Sequence, residues 1–334
     1  MNNFILAIFI TLQMICLQAH DFFNTTLFSQ YKDIPVLVTG GCGFIGSHLV
    51  EKLVESGAHV TILDNLSSGR KENIEAVKDK VLFMPGDITD FETCLQATKN
   101  QYIIFHLAAF LSVPGSMENP FDCHNINVIG TQNILEAARI NNVKRFVFSS
   151  TCAIYGESEY ECREDDKPAP ASVYGFSKLI GEIYCKEYAQ IFDMETVIMR
   201  YFNVYGSRQN PHGCYAGVIA KFTYNMEHDL PIIIFGDGKQ TRDYVPVSNV
   251  VMANLFLGIC DKSHTHGEIF NIGTGKSITL LELIEILKKQ YPCYQKDPVF
   301  MPVRPGDVKY ITADCSKYNK LYKDIMKNKG KINE

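Results

Sequence analysis

A tyrosine and a lysine, Tyr174 and Lys178, lie four residues apart in a segment whose residues favour a helix as far as Phe192. On a helix this spacing places both side chains on one face, one turn apart. A phenol ordinarily titrates near pH ~10, and a nearby ammonium lowers that pKa, so such a tyrosine can act as a base near neutral pH. The same spacing occurs by chance on many helices, so the functional interpretation depends on the rest of the chain.

The composition is that of an ordinary globular protein. The chain has 334 residues, 46% hydrophobic and 21% charged, a length that suits one large domain or two domains that share a cleft. A formal net charge of -5 argues against a nucleic-acid binder that neutralises phosphates. The 11 cysteines are scattered singly with no C-x-x-C pair, which predicts buried thiols in a cytoplasmic protein and no metal site.

The first 33 residues are predicted to lie outside the fold. They contain a 14-residue apolar run, Phe4–Leu17, which is short for a membrane span. No lysine or arginine precedes this run and no convincing small-residue cleavage site follows it, as a signal peptide would require. A tethering helix, an uncleaved anchor and an upstream start-codon artefact stay open, and membrane contact is expected only through residues 4–17.

From residue 34 onward, strand-like and helix-like segments alternate. Pro35–Thr39 is a short apolar run, as a buried parallel strand should be, and it leads into the glycine-rich turn Gly40-Gly-Cys-Gly-Phe-Ile-Gly46. A helix is predicted for Ser47–Ser56, and a second strand begins at His59 and ends at Asp64. Glycines permit close approach of the backbone to a pyrophosphate, which the helix N-terminus faces, so this unit predicts a dinucleotide site.

The acid at the end of the second strand indicates which dinucleotide binds. Asp64 lies 18 residues after Gly46, near the spacing expected of a carboxylate that binds the adenosine ribose. A carboxylate repels the 2′-phosphate of NADP, so Asp64 favours NAD. Arg70 lies close enough in sequence to keep NADP open.

Further strands are predicted at residues 81–84, 102–107, 145–150 and 196–199, with helix-length segments between them. This alternation predicts an α/β fold with a Rossmann-type doubly wound parallel sheet, whose ligands bind at the carboxyl ends of the strands. After Arg200 the chain becomes loop-rich, with shorter helices such as Thr279–Tyr291. We therefore predict an NAD-binding Rossmann domain over residues 34–199, with residues 200–334 mainly forming a smaller α/β substrate-binding lobe.

Several longer motifs follow one another in a fixed order. They are Ser149-Ser-Thr151 at a predicted strand end, Arg200-Tyr-Phe-Asn-Val-Tyr-Gly206, Gly238-Lys-Gln-Thr-Arg-Asp-Tyr-Val245 and Arg304-Pro-Gly-Asp307. With the glycine-rich turn and the Tyr174/Lys178 pair, they resemble the extended short-chain dehydrogenase/reductase superfamily. Within it the chain is most similar to the nucleotide-sugar 4-epimerases that act on UDP-glucose, UDP-N-acetylglucosamine and their relatives. The resemblance covers residues 36–316.

The resemblance implies an NAD-dependent isomerase that inverts carbon 4 of a UDP-hexose through a transient 4-keto intermediate. It implies Tyr174 as the catalytic base, Lys178 as the residue that holds the nicotinamide ribose and depresses the pKa of the tyrosine, and Thr151 as a bridge to the sugar hydroxyl. The residues implied to bind NAD are Gly40, Gly43, Phe44, Ile45, Gly46, Asp64, Asn65, Asp87, Ile88, Leu107, Ala108, Ala109, Asn127, Ser149, Tyr174 and Lys178. Those implied to bind the UDP-sugar are Ser112, Thr151, Asn203, Arg242, Arg304 and Asp307. A homodimer is implied through helices at residues 127–140 and 171–192.

Two other functions stay open. Nucleotide-sugar dehydratases and decarboxylases of the superfamily carry an acidic residue just after the strand-end Ser/Thr, whereas Cys152 and Ala153 follow it here. A non-catalytic NAD-binding sensor or scaffold would agree with the apolar N-terminus and with a chain that ends soon after a predicted strand, Tyr310–Asp314, and a lysine-rich tail. The sugar stays open too, because the resemblance places Ile311 beside the sugar's 2-substituent, and isoleucine is intermediate between the residues typical of each sugar class.

Overall fold

The structure, a computed structural model, describes residues 28–211, 217–304 and 306–330, with the side chains of residues 328–330 left out. The apolar run Phe4–Leu17 lies outside these ranges. Among the helices within them, none combines the length and the apolar character that crossing a membrane requires.

Twelve strands occur in the described residues. In chain order they are β1 Pro35–Thr39, β2 His59–Asp64, β3 Val81–Pro85, β4 Ile103–His106, β5 Arg145–Thr151, β6 Glu195–Tyr201, β7 Asn203–Tyr205, β8 Ile233–Phe235, β9 Thr241–Pro246, β10 Glu268–Ile272, β11 Ser277–Thr279 and β12 Val299–Met301. Seven of them form one sheet in the order β10-β6-β5-β4-β1-β2-β3. Every neighbouring pair in this sheet is parallel, which confirms the predicted doubly wound architecture.

The helices lie on both faces of this sheet and in the smaller lobe. They are α1 Phe44–Glu55, α2 Phe91–Ala97, α3 Val113–Glu118, α4 Pro120–His124, α5 Gly130–Ile140, α6 Val173–Phe192, α7 Val218–Glu227, α8 Val247–Ile259, α9 Lys262–Thr265, α10 Leu280–Lys288 and α11 Ser316–Gly330. A π-helical turn, Asn125–Ile129, joins α4 to α5, so the helix predicted to begin at residue 127 extends further toward its N-terminus. Such turns are frequent at functional sites.

Side chains of the central strands alternate between two buried cores. Val36 and Val38 of β1 lie in the core that includes α1 and α8, whereas Leu37 lies in the core that includes α2, α5 and α6. Because both faces of the sheet are covered, the strands carry nearly continuous apolar runs. Those runs are what made the strands predictable from sequence.

The smaller lobe has its own core beside the sheet. A three-stranded sheet in the order β11-β9-β7 and the pair β12-β8 pack with α7 and α10 around residues such as Phe222, Ile234 and Leu283. Before reaching β11 the chain returns to the central sheet, because α8 packs on α1 and β10 pairs with β6. The lobe predicted as residues 200–334 is therefore interrupted: residues 247–272 belong to the Rossmann core.

Two predictions near the chain ends are wrong. Residues 28–33 were expected outside the fold, yet Tyr31 is fully buried and its hydroxyl donates to the carbonyl of Leu255 (2.8 Å). The segment Tyr310–Asp314 is not a strand, and only a single bridge joins Ala313 to Cys162. The lysine-rich tail that follows forms α11, whose aromatic side chains pack on α8, because its apolar residues recur at helical spacing.

Candidate active site

The glycine-rich turn after β1 allows the backbone to come close to neighbouring chain. Gly40 has φ +70°, and a Cβ there would lie 2.8 Å from the amide nitrogen of Ala108. A Cβ on Gly46 would overlap the carbonyl oxygen of Gly40. Both positions therefore require glycine, and the turn leaves the start of α1, with Phe44 and Ile45, as a cradle suited to the pyrophosphate of a dinucleotide.

Two acids stand at neighbouring strand ends beside this turn. Asp64, at the end of β2, accepts hydrogen bonds from the amides of Cys42 (2.9 Å) and Leu66 (2.8 Å), so it ties the turn to the strand. The side-chain amide of Asn65 donates to Asp87 Oδ2 (2.7 Å). Burial raises the pKa of Asp87, but hydrogen bonds from Thr89 and Asn65 outweigh burial, so the pKa is lowered. The structure thus brings Asp64, Asn65 and Asp87 together at the edge predicted to bind adenosine.

His106 is a buried residue of this edge that sequence reasoning missed. It ends β4, and its ring nitrogens lie 2.8 Å from Thr39 Oγ1 and 3.0 Å from Thr131 Oγ1. Burial, followed by the nearby charge of Lys178, holds the pKa of His106 well below its usual range. The histidine is therefore neutral, and it links the β1 and β4 ends to α5. Its position at the end of an apolar run was the available signal.

Asn127, predicted to bind NAD, uses its polar atoms inside the protein. Its Oδ1 accepts from the amide of Phe110 (2.7 Å), and its Nδ2 donates to Ser177 Oγ (2.9 Å). Ser177 in turn donates to the carbonyl of Tyr174 (2.8 Å). These contacts connect the segment that follows β4 to α6, which gives Asn127 a positioning role, and direct contact with NAD stays a prediction.

The predicted catalytic residues lie together at the carboxyl end of β5. Thr151 ends that strand, and its side chain lies close to the hydroxyl of Tyr174 in the first turn of α6. Ser172 caps this helix by accepting from the amide of Gly175 (3.1 Å), which fixes where the helix begins. Lys178, one turn later, is 2% exposed, and its Nζ lies 4.9 Å from the centre of the Phe148 ring.

The pKa of the tyrosine differs from the sequence-based expectation. Burial raises the pKa of Tyr174 above 10, and the nearby hydroxyl of Thr151 only partly opposes this. Burial also lowers the pKa of Lys178, to about 8. The predicted depression of the tyrosine's pKa by the lysine is therefore not found in the protein alone, because the loss of solvation on burial is the largest influence on the phenol.

The depressed pKa of Lys178 predicts a pH-dependent stability. An unfolded lysine titrates near 10.5 and the folded one near 8, so the unfolded chain binds more protons in this window and stability rises with pH. From pH 8 to 9.5 the titration of Lys178 adds about 1.5 kcal/mol to the free energy of unfolding, measured by urea denaturation. Lys178→Met should remove that increment, whereas Lys80→Met, an exposed lysine, should keep it. Equal pH dependence in both variants would contradict the assignment.

Basic and amide side chains of the smaller lobe form the predicted substrate side. Arg242 pairs with Asp307 (2.8 Å), and the guanidinium of Arg304 lies 3.4 Å from the centre of the Phe235 ring. The buried Oδ1 of Asn203 has no hydrogen-bond partner among the described residues. Planar arginine forks match diphosphate oxygens, and an unpartnered buried amide oxygen fits a ligand donor. The fold thus places these four residues in one lobe, as the motifs predicted.

Other predicted site residues have contacts within the protein. The hydroxyl of Ser112 accepts from the amide of Gly115 (2.7 Å) and caps α3. Ser149 Oγ lies 3.1 Å from the hydroxyl of Tyr201. Ile88 packs beside Gly130, and Leu107, Ala108 and Ala109 follow β4 directly.

The burial of the thiols agrees with the sequence-based expectation. None of the nine cysteines in the described ranges forms a disulfide, and seven of them are buried. Within the same ranges, His, Cys, Asp and Glu side chains form no group of three or more that could hold a metal ion.

Fold and site together define a Rossmann-type enzyme whose glycine turn and acidic strand ends fit NAD. A profile of the NAD dependent epimerase/dehydratase family matches residues 36–273, and the chain belongs to this family. Membership of this family confirms NAD as the predicted cofactor.

Individual relatives show the range of this family. The chain is 42% identical to a putative UDP-glucose 4-epimerase of Methanocaldococcus jannaschii, over 86% of this chain and 92% of the relative. It is 36% identical to the solved UDP-N-acetylglucosamine 4-epimerase of Methanobrevibacter ruminantium in complex with UDP-N-acetylmuramic acid, with TM-score 0.80 and coverage of 86% and 92%. It is also 36% identical to a UDP-N-acetyl-alpha-D-glucosaminuronate decarboxylase of Bacillus cytotoxicus, over 75% and 78%.

Proposed function

We propose that this protein is a 4-epimerase that inverts carbon 4 of a UDP-hexose through a transient 4-keto intermediate, with NAD as its resident cofactor. The observation that carries the proposal is the close approach of the Thr151 and Tyr174 side chains at the carboxyl end of the central sheet. Lys178 lies one turn beyond, and the smaller lobe contributes Arg242 and Arg304. Proton transfer and diphosphate binding are the two tasks that this reaction asks of the chain.

Tyr174 takes the proton from the hydroxyl on carbon 4 and later returns it. Thr151, which lies close to Tyr174, bridges to the same sugar hydroxyl and aligns it with the phenol. For this the pKa of Tyr174 must fall from its raised value, and the groups available to lower it are Thr151 and the ammonium of Lys178. When bound, NAD supplies the hydride acceptor and donor, and the glycine turn with Asp64 and Asn65 holds it.

The diphosphate is held from the smaller lobe. Arg242 and Arg304 bind its oxygens, while Asn203 and Asp307 orient the nucleotide and the sugar. Arg242 is already fixed by its ion pair with Asp307 (2.8 Å), so less side-chain freedom is lost on binding.

The residue after Thr151 favours epimerisation over elimination or loss of carbon dioxide. Those reactions in the superfamily use a carboxylate at this place, and here it is Cys152. Burial raises the pKa of the Cys152 thiol to about 12, so the side chain is neutral near pH 7 and cannot take the role of a carboxylate. The decarboxylase and dehydratase alternatives are weaker for this reason.

Turnover assays test the proposal directly. The purified protein is incubated with UDP-glucose and with UDP-N-acetylglucosamine, each with and without added NAD, and products are resolved by chromatography and proton NMR. We expect conversion of at least one of them to its carbon-4 epimer. A decarboxylated or dehydrated product would identify the alternative enzymes instead. NAD binding without turnover, together with a stable partner complex, would identify a sensor or scaffold.

Ile311 is expected to influence which sugar is used. It is 2% exposed and packs with Tyr155 and Phe202 in a small apolar cluster. Ile311→Ala removes about three heavy atoms beside the predicted 2-substituent site, so the preference for UDP-N-acetylglucosamine over UDP-glucose, as a ratio of kcat/KM values, should rise about tenfold.

A control separates this effect from lost stability. Ile311→Ala should cost about 2–4 kcal/mol of unfolding free energy, as should Ile284→Ala, which also deletes a 2% exposed isoleucine, but in α10. Only Ile311→Ala should change the substrate ratio. A ratio unchanged in both variants would remove Ile311 from the sugar site.

We also propose a cytoplasmic homodimer. Large apolar side chains are exposed on α4, on the π-helical turn and on α6, including Phe121 (79%), Ile129 (37%) and Phe176 (57%). Such a patch is typical of a protein interface. The free thiols agree with a reducing compartment. Sedimentation at several protein concentrations tests the dimer, which would be refuted by a monomer at all of them.

A further inference from the structure

A buried ion pair lies behind the catalytic residues and takes no part in the proposed chemistry. Glu182 and Arg200 have side chains only 3% and 2% exposed. Arg200 Nη2 donates to Glu182 Oε2 (2.8 Å), and Arg200 Nε donates to Oε1 (2.9 Å). The hydroxyl of Ser150 donates to the same Oε1 (2.6 Å). The carboxylate of Glu182 therefore accepts three hydrogen bonds from donors on the two strands β5 and β6.

Glu182 and Ser150 each lie near a proposed catalytic residue on their own element, α6 and β5 respectively. Glu182 lies four residues after Lys178, so the two share a face of α6 one turn apart. Ser150 directly precedes Thr151 on β5, and it is the register partner of Arg200 on β6. One carboxylate thus joins the helix that carries Tyr174 to the strand end that carries Thr151.

A second layer of contacts encloses the arginine. The guanidinium lies 4.7 Å from the centre of the Tyr155 ring, and the hydroxyl of Tyr155 donates to Asn271 Oδ1 (2.6 Å). The backbone amide of Asn271 donates to Glu164 Oε1 (2.8 Å). Buried ion pairs contribute little net stability because desolvation offsets their attraction. We therefore explain this buried pair, which lies next to the catalytic residues, by the positions that it imposes on α6 and β5 and not by a contribution to stability.

We propose that Glu182, held by Arg200 and Ser150, is a positioning residue that sets the distance between Tyr174 on α6 and Thr151 on β5. This inference rests on the proposed function, in which Tyr174 takes the proton from the sugar hydroxyl that Thr151 aligns. Glu182 touches neither substrate nor cofactor and acts through the placement of α6. Its loss should therefore affect the chemical step more than substrate binding.

The opposite end of the same two strands supplies a matched control. Arg145 and Glu195 are register partners at the start of β5 and β6, and they form an ion pair of 2.7 Å with both side chains 8% exposed. This pair has similar chemistry and burial but lies at the end of the sheet away from Tyr174. A purely structural role would make the two pairs equivalent.

The experiment compares Glu182→Gln with Glu195→Gln in the full-length protein. We expect both to lower the melting temperature, but only Glu182→Gln to lower kcat, by about 100-fold with KM changed less than about threefold, because misplacement by about 1 Å has effects of this size. Glu195→Gln should keep kcat within about threefold of the parent. Parallel losses of kcat in the two variants, or a loss confined to KM, would overturn the proposal.

A milder variant tests the proposal if Glu182→Gln fails to fold. A second measurement tests it if no substrate is turned over. Ser150→Ala keeps both charges and removes one donor, so it should fold and lower kcat about fivefold. Amide hydrogen exchange of residues 173–178 reports the placement of α6 without any substrate. Faster exchange there in Ser150→Ala and Glu182→Gln, but not in Glu195→Gln, supports the positioning role even if no UDP-hexose is turned over. Unchanged exchange in both refutes it.

Discussion

Tyr174→Phe is expected to lower kcat by about 10³-fold, because general base catalysis by a positioned side chain contributes roughly this much. The phenylalanine keeps the ring and removes only the hydroxyl that lies close to Thr151. NAD and UDP-sugar should still bind with near-parental affinity, since their other contacts are untouched. Steady-state kinetics and calorimetric titration with each ligand measure the two effects separately.

Tyr184→Phe is the control for this variant. Tyr184 lies on the same helix, is half-buried and packs against the core on the α2, α5 and α6 side of the sheet. Loss of its hydroxyl should leave kcat within about twofold of the parent, since it lies far from the proposed proton path. A Tyr174→Phe variant that kept a tenth of the parental kcat would exclude the phenol as the essential base.

Gly46→Ala is expected to abolish tight NAD binding. The added Cβ would overlap the carbonyl oxygen of Gly40, and because both partners are backbone, no side-chain rotation relieves the overlap. Displacing the glycine turn at a cost of roughly 3 kcal/mol would lower NAD affinity by about 100-fold. The NAD content of the purified protein and calorimetric titration with NAD measure this loss.

A substitution on the outer side of α1 separates cofactor binding from helix stability. Lys52→Ala changes a side chain that is 41% exposed near the other end of the same helix. It should leave NAD affinity unchanged and stability within about 0.5 kcal/mol. If Gly46→Ala retained the parental NAD content, the glycine turn would not be the pyrophosphate cradle.

The strands, the glycine turn and the placement of Tyr174 and Lys178 on one helix could all be predicted from sequence. Each depends on short-range information. A strand covered on both faces is apolar along its length, as β1 and β5 are. A turn that must pass close to other backbone needs glycine, and residues four apart on a helix are neighbours whatever the fold.

Predictions failed where the decisive partner is distant in sequence. The continuation of the Rossmann core through α8 and β10 depends on pairing with β6, about seventy residues earlier in the chain. The segment Tyr310–Asp314 has strand-like residues, but it finds only one bridging partner. Burial of Tyr31 likewise required α8, which no local pattern reveals.

By itself the sequence determined the fold class, favoured NAD as the dinucleotide and placed Tyr174 and Lys178 on one helical face, because glycine spacing, apolar runs and helical periodicity are local properties. Only the tertiary structure decided the electrostatics of that pair. Burial raises the pKa of Tyr174 and lowers that of Lys178. On an exposed helix the lysine would instead lower the pKa of the tyrosine. The hydrogen bonds that Ser150 and Arg200 donate to Glu182 could not be predicted from sequence either, because the environment of a buried charge depends on the three elements that surround it.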